Sequence, residues 1–112
     1  MRRVAVVMEL GDRRRNLVAT LGFLHLKPSE PELQMLHAAF DSWRGIGVLA
    51  VGLHRVGYDL ALIQQADEGW SATFYISGRM HSIVGGWAHD PKPWRAVQRA
   101  GWDAVNHAER FL

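Results

Sequence analysis

The stretch from Tyr58 to Leu112 constrains the fold more than any other part of the chain. Residues 58–64 and 70–76 have apolar side chains at alternate positions, as strands with a buried face do. A third apolar segment covers residues 81–88, where Gly85-Gly86 predicts a bulge or a close approach of another backbone. Short turns separate the three segments, so we predict an antiparallel three-stranded sheet.

A helix follows the third strand. Asp90-Pro91-Lys92-Pro93 marks its start, because proline is tolerated only in the first turn of a helix. One face carries the predicted core residues Trp94, Val97, Gly101, Ala104, Val105 and Ala108. The outer face carries Arg95, Arg99, Trp102, Asn106 and Arg110.

Two further helices are predicted before the sheet. Residues 30–41 carry apolar side chains at helical spacing, and Pro31 suits the first turn. Residues 43–56 form a second apolar helical stripe, with Asp41 or Ser42 as the N-cap and Gly57 as the terminator. A buried strand is the alternative for residues 45–56, because their glycines weaken a helix by about 1 kcal/mol each relative to alanine.

The first 26 residues have the apolar density of two strands, at residues 3–9 and 17–26. Between them, Gly11 to Asn16 is polar and predicts a turn, so we expect an N-terminal hairpin that extends the sheet. Arg13, Arg14 and Arg15 in this turn are expected to be solvated, although a phosphate contact is the alternative.

With 112 residues, the chain is long enough for one hydrophobic core. We predict a single α+β domain over residues 1–112, with the helices on one face of the sheet. Residues 1–26 are its N-terminal extension and residues 43–108 are its α-β-β-β-α core. No apolar run approaches the roughly 20 residues of a membrane span, and Glu9 interrupts the apolar start, so we expect no membrane partner and a cytoplasmic location.

Charge is distributed unevenly along the chain. Five arginines lie in residues 1–15, residues 27–70 are acidic, and the balance from Arg79 onward is again positive. Basic ends of this kind are compatible with a polyanionic partner, and ordinary solvated charge is the alternative.

Motifs that carry catalysis or bind cofactors are missing from the sequence. It has no cysteine, no His-Glu-x-x-His pair, no P-loop and no nucleophile elbow. We therefore expect a non-catalytic protein without a metal or another cofactor.

The five tryptophans are a high number for this length. Trp70, Trp87 and Trp94 fall on apolar stripes and are predicted to be core residues. Trp102 lies outside the stripe of its helix, beside arginines, which is typical of an anchor at a protein interface. The alternative is that the N-terminal hairpin or the first helix covers Trp102.

The order α-β-β-β-α from Trp43 to Val105 resembles the double-stranded-RNA-binding domain. Gly86-Trp87-Ala88 and the alanine-rich stretch from Ala96 to Val105 are similar to that family's third strand end and last helix. In the family, a lysine cluster at the start of this helix binds phosphates. The matching stretch here has Lys92 and Arg95 between prolines and a tryptophan, and Asp67-Glu68-Gly69 replaces the family's histidine-containing loop.

Two functions follow as hypotheses. The first is a small binding module that contacts nucleic-acid phosphates through Lys92, Arg95, Arg99 and Arg110, with affinity that falls steeply as salt rises. The second is a protein-interaction or self-association module that uses Trp102 and the exposed sheet face. It predicts a dimer or a larger species that Trp102→Ala reduces.

Overall fold

The computed structural model describes the backbone of residues 2–78 and 83–110 and the side chains of residues 12–78 and 83–107. Its helices are α1 (Arg2–His25), α2 (Pro31–Phe40), α3 (Trp43–Arg55) and α4 (Pro93–Arg110). Its strands are β1 (Tyr58–Gln64), β2 (Trp70–Ile76) and β3 (Val84–Asp90), and a 3-10 turn covers Ala66–Glu68. The predicted α+β fold is therefore confirmed.

The sheet is an antiparallel meander in the order β1-β2-β3. Leu60 lies opposite Phe74, and Phe74 lies opposite Gly86. Between Phe74 and Tyr75 the register shifts, because Tyr75 pairs with Val84 and leaves Gly85 as an extra residue in β3. This irregularity confirms the bulge that was predicted at Gly85-Gly86.

The helices α3 and α4 contact the strands, and α1 and α2 contact the other helices on the side away from the sheet. Helix α1 crosses α3 and α4 where both have a glycine: Leu17 lies against Gly52, and Leu21 lies against Gly101. The prediction that the helices lie on one side of the sheet is confirmed. The core comprises Leu21, Leu24, Ile46, Leu49, Leu53, Tyr58, Ala72, Phe74, Ala88, Ala96, Val97, Ala100, Ala104 and Val105.

Gly86 allows the closest approach between the sheet and α4. A Cβ atom at this position would lie 2.4 Å from both the Ala100 carbonyl oxygen and the Ala104 amide nitrogen. Real Cβ atoms do not approach backbone atoms this closely, so only glycine fits here without a shift of the helix. This backbone contact determines the distance between α4 and β3.

The N-terminal hairpin prediction is wrong, because residues 2–25 form one helix. The apolar density of residues 17–26 suggested a strand, but Leu17, Val18, Leu21 and Leu24 recur at helical spacing and face α3 and α4. The arginines from Arg13 to Arg15 lie within α1 and not in a turn, and Arg15 pairs with Asp12 on the same helix.

The other predicted elements differ only in detail. The helix predicted at residues 30–41 is α2, and Pro31 is its first residue. The helix predicted at 43–56 is α3, which excludes the strand alternative; the Ser42 hydroxyl accepts a hydrogen bond from the Gly45 N–H, and Gly57 has a positive φ of 100°. The third strand was predicted at residues 81–88 and is observed at Val84–Asp90, whereas His81 and Ser82 lie outside the described residues.

Candidate interaction surface

Arg95, one of the predicted phosphate contacts, belongs to a partly buried polar cluster. Its Nη1 donates to His37 Nδ1 at 3.1 Å and to Gln98 Oε1 at 3.2 Å. His37 Nε2 lies 2.9 Å from the Leu26 carbonyl oxygen. Because a carbonyl only accepts hydrogen bonds, Nε2 carries the proton and Nδ1 accepts from Arg95.

Gln98 completes this cluster. Its Nε2 donates to Asp41 Oδ1 at 2.8 Å, and its side chain is almost fully buried, as is that of His37. The cluster therefore connects α4 with α2 and with the end of α1. Arg95 satisfies two buried acceptors within the fold, which is a structural role that its spacing on the helix did not indicate.

Arg99 contacts the outer edge of β3, the edge that does not pair with β2. Its Nη1 donates to the His89 carbonyl oxygen at 3.0 Å and lies 3.4 Å from Asp90 Oδ2. One helical turn further along α4, Asp103 Oδ2 accepts from the Trp87 N–H at 3.1 Å. Asp103 lies four residues after Arg99, which is ion-pair spacing on a helix, but the two side chains instead bond to outward-facing backbone groups of the same strand.

The remaining predicted cations are Lys92 and Arg110. Lys92 is exposed at the start of α4, and Arg110 is the last residue of α4, with a side chain outside the described ones. Arg95 and Arg99 are bonded within the fold. Among the described side chains, the predicted basic stripe is therefore not a continuous row of free cations, and its contact with nucleic acid stays a prediction.

Helix α1 covers one side of Trp102. The ring of Trp102 stacks on His25 with centroids 5.6 Å apart, and it lies against Gly22. Trp102 is half-buried, as the alternative to an exposed anchor predicted. Its role at an interface stays a prediction. Beside it is a shallow groove of about 320 Å³, lined by His25, Trp87, Ala88, His89, Arg99, Trp102, Asp103 and Asn106.

Trp87 is exposed, so its prediction as a core residue is wrong, whereas Trp70 and Trp94 are half-buried against the core. The bulge at Gly85 is the cause. It puts Gly86 and Ala88 on the face towards α4 and turns Trp87 to the opposite face. Sequence alternation alone does not show which of two neighbouring glycines is the extra residue.

No described helix packs on the face of the sheet opposite α3 and α4. According to the register of the strands, the side chains on this face form three rows across the sheet. The rows are centred on Ser71, Thr73 and Tyr75 of β2. Its side chains are Asp59, Ala61, Ile63, Ser71, Thr73, Tyr75, Val84, Trp87 and His89. This surface, together with the outer edges of β1 and β3, is called the open sheet below.

Ser71 and His89 are a serine–histidine pair that the sequence did not indicate. The Ser71 hydroxyl lies 3.2 Å from His89 Nδ1 and 2.9 Å from Gln65 Oε1, and His89 Nε2 bonds to the Glu68 carbonyl. Ser71 is buried, and both of its partners hold the β1–β2 turn against β3. The pair therefore acts as a structural connection between turn and strand.

Comparisons with protein-family models, curated proteins and solved structures find no match. The element order from α3 to α4 agrees with the α-β-β-β-α order that the resemblance implied. In the part of the chain that the structure describes, no helix is long and apolar enough to cross a membrane. The described residues also contain no group of three side chains arranged to hold a metal ion.

Proposed function

We propose that this chain is a non-catalytic self-association module that uses its open sheet. One observation carries the proposal: Ile63, Val84 and Trp87 are 58%, 51% and 55% exposed on a face that none of the described helices covers. A large side chain exposed alone is ordinary, but several on one uncovered sheet face are typical of an interaction site. Tryptophan in particular is enriched at protein interfaces.

The charge of the open sheet favours a protein partner over a nucleic acid. The three strands carry Asp59 and Asp90 and have no lysine or arginine. Binding to a phosphate backbone depends on cations that replace condensed counterions. A sheet without cations lacks that contribution, whereas its aliphatic and aromatic side chains suit a dry protein contact.

Nucleic-acid binding by α4, as the resemblance to the double-stranded-RNA-binding domain implies, is the competing outcome. It requires Lys92, Arg95 and Arg99 to contact phosphates, although the last two are already bonded within the fold. It predicts salt-sensitive mobility shifts with duplex RNA or DNA at micromolar protein. The self-association proposal predicts no such shift.

The variant Ile63→Glu tests the proposal. It adds a charge to an exposed position of β1 without removing a buried side chain, so we expect the fold to persist and the association to weaken at least about tenfold. Sedimentation velocity over a range of protein concentrations measures the effect. Met35→Glu is the matched control, because Met35 is 74% exposed on α2, away from the sheet.

Two results contradict the proposal. One is a wild-type chain that sediments as a monomer at every concentration. The other is a dimer that Ile63→Glu and Met35→Glu weaken to the same extent, because a contact elsewhere on the protein would then be responsible.

A further inference from the structure

The two edges of the open sheet differ in whether their outward backbone groups are available to pair with another strand. In β3, the outward-facing groups include the Trp87 N–H and the His89 carbonyl. Asp103 accepts from the first and Arg99 donates to the second, so α4 side chains occupy this edge. A strand whose edge groups are occupied in this way is a poor template for another strand.

The direction of the edge groups of β1 follows from the turns at its two ends. The Ser77 N–H donates to the Gly57 carbonyl, and the Gln65 N–H donates to the Gly69 carbonyl. In antiparallel pairing, alternate residues bond to the neighbouring strand, so the odd-numbered residues of β1 face β2. The residues that direct their N–H and C=O groups outward are therefore Tyr58, Leu60, Leu62 and Gln64.

In the described part of the chain, the edge of β1 lacks side-chain hydrogen bonds of the kind that protect β3. No described side chain bonds to its outward groups as Arg99 and Asp103 bond to β3. The strand has no proline, lysine or bulge, and its pairing with β2 is uninterrupted from Tyr58 to Gln64. Such an edge is free to pair with another strand.

The surroundings of the β1 edge are apolar. A groove of about 450 Å³ lies along it, between α3 and the strand. Val51 of α3, which is 53% exposed, and Leu60 of β1 both line this groove. A strand added at this edge would cover apolar side chains as well as form backbone hydrogen bonds.

Charge at the two ends of β1 indicates the direction in which a second strand pairs. His54 and Arg55 are exposed just before β1, and Asp67 and Glu68 are exposed just after it. Antiparallel pairing of two copies brings the start of one strand beside the end of the other. Arg55 then lies near Asp67 and Glu68 of the second copy, and two-fold symmetry repeats this contact.

We infer that two copies of the chain pair antiparallel through their β1 edges, with Ala61 on the two-fold axis, and form one continuous six-stranded sheet. This register joins Leu60 to Leu62 of the second copy and Tyr58 to Gln64 of the second copy. Every outward residue of β1 then exchanges two backbone hydrogen bonds with its counterpart. The inference rests on the proposed self-association and assigns its contact to the β1 edge, with Ile63 beside Asp59 of the second copy. Val84 and Trp87 lie on β3 and stay outside this contact.

A cysteine at position 61 tests the register. Residues that face each other across the axis form a non-hydrogen-bonded pair with Cα atoms about 4.5 Å apart, within the range that a disulfide bridges. The natural chain has no cysteine, so only the introduced thiols react. We expect Ala61→Cys to form a covalent dimer under mild oxidation. Thr73→Cys, at the centre of the same face, is expected to stay uncross-linked.

Any other outcome of the cross-linking contradicts the register, the edge pairing or the self-association itself. If Thr73→Cys cross-links and Ala61→Cys does not, the sheets associate face to face and the edge pairing is wrong. A dimer in which neither variant cross-links also excludes this register. A wild-type chain that is monomeric at every concentration removes the proposed function together with the inference.

Charge reversal tests the orientation independently. We expect Asp67→Arg combined with Glu68→Arg to weaken dimerisation about tenfold, because these side chains then oppose Arg55 of the second copy. Adding Arg55→Glu should restore the affinity. Glu32→Arg, on α2, is the control and should leave it unchanged. Failure of Arg55→Glu to restore the affinity would contradict the antiparallel arrangement.

Discussion

Replacing Gly86 with alanine is expected to destabilise the folded chain by about 3 kcal/mol, at the upper end of the usual cost of overpacking. The new Cβ atom would lie 2.4 Å from the Ala100 carbonyl oxygen and the Ala104 amide nitrogen. Both are backbone atoms of α4, so no side-chain rotation relieves the contact. The helix must move away from β3, and the core between them loses contacts.

Urea denaturation measures this loss, with Gly47→Ala as the matched control. Gly47 lies in α3, and a Cβ atom added there meets no other atom within 4 Å. Alanine should therefore stabilise α3 by about 0.5–1 kcal/mol through its higher helix propensity. If Gly86→Ala is as stable as the wild-type chain, then α4 does not lie directly on the backbone of β3.

The second large effect is expected for Arg95→Met, which keeps an unbranched side chain but removes the guanidinium. His37 Nδ1 and Gln98 Oε1 then lose their shared donor. An unsatisfied buried polar group costs about 1–3 kcal/mol, so we expect a loss of about 2 kcal/mol in the free energy of unfolding. Thermal denaturation followed by circular dichroism detects a change of this size.

Lys92→Met is the control for this variant, because Lys92 is an exposed cation less than one turn before Arg95. Its effect should remain within about 0.5 kcal/mol, as is usual for surface substitutions. Equal stability of the two variants would show that Arg95 is an ordinary surface cation, as the phosphate-binding hypothesis assumed.

The sheet was predictable because its signals are local. Alternation located β1 and β2 at their observed bounds, and the neighbouring glycines located the bulge in β3. The end of α3 was equally local, since Gly57 adopts the positive φ that ends a helix. Each of these features depends on neighbouring residues alone.

The features that the sequence did not predict depend on contacts between distant segments. Helix α1 forms because Leu21 and Leu24 are buried against other helices, and apolar density alone did not distinguish it from a strand. Arg95 is bonded within the fold because the fold brings His37 beside it. The role of Arg99 likewise depends on where α4 crosses β3, which spacing within a helix does not show.

Amide hydrogen exchange at Leu60 and Leu62 tests the edge pairing of β1 most directly. Both N–H groups point outward in one chain and are bonded only if a second β1 strand pairs with them. We expect slow exchange at concentrations where the dimer forms and fast exchange on dilution. The Trp87 amide, which bonds to Asp103 within the chain, should exchange equally in both states. Fast exchange at Leu60 and Leu62 in a chain that sediments as a dimer would contradict the pairing of two chains through their β1 edges.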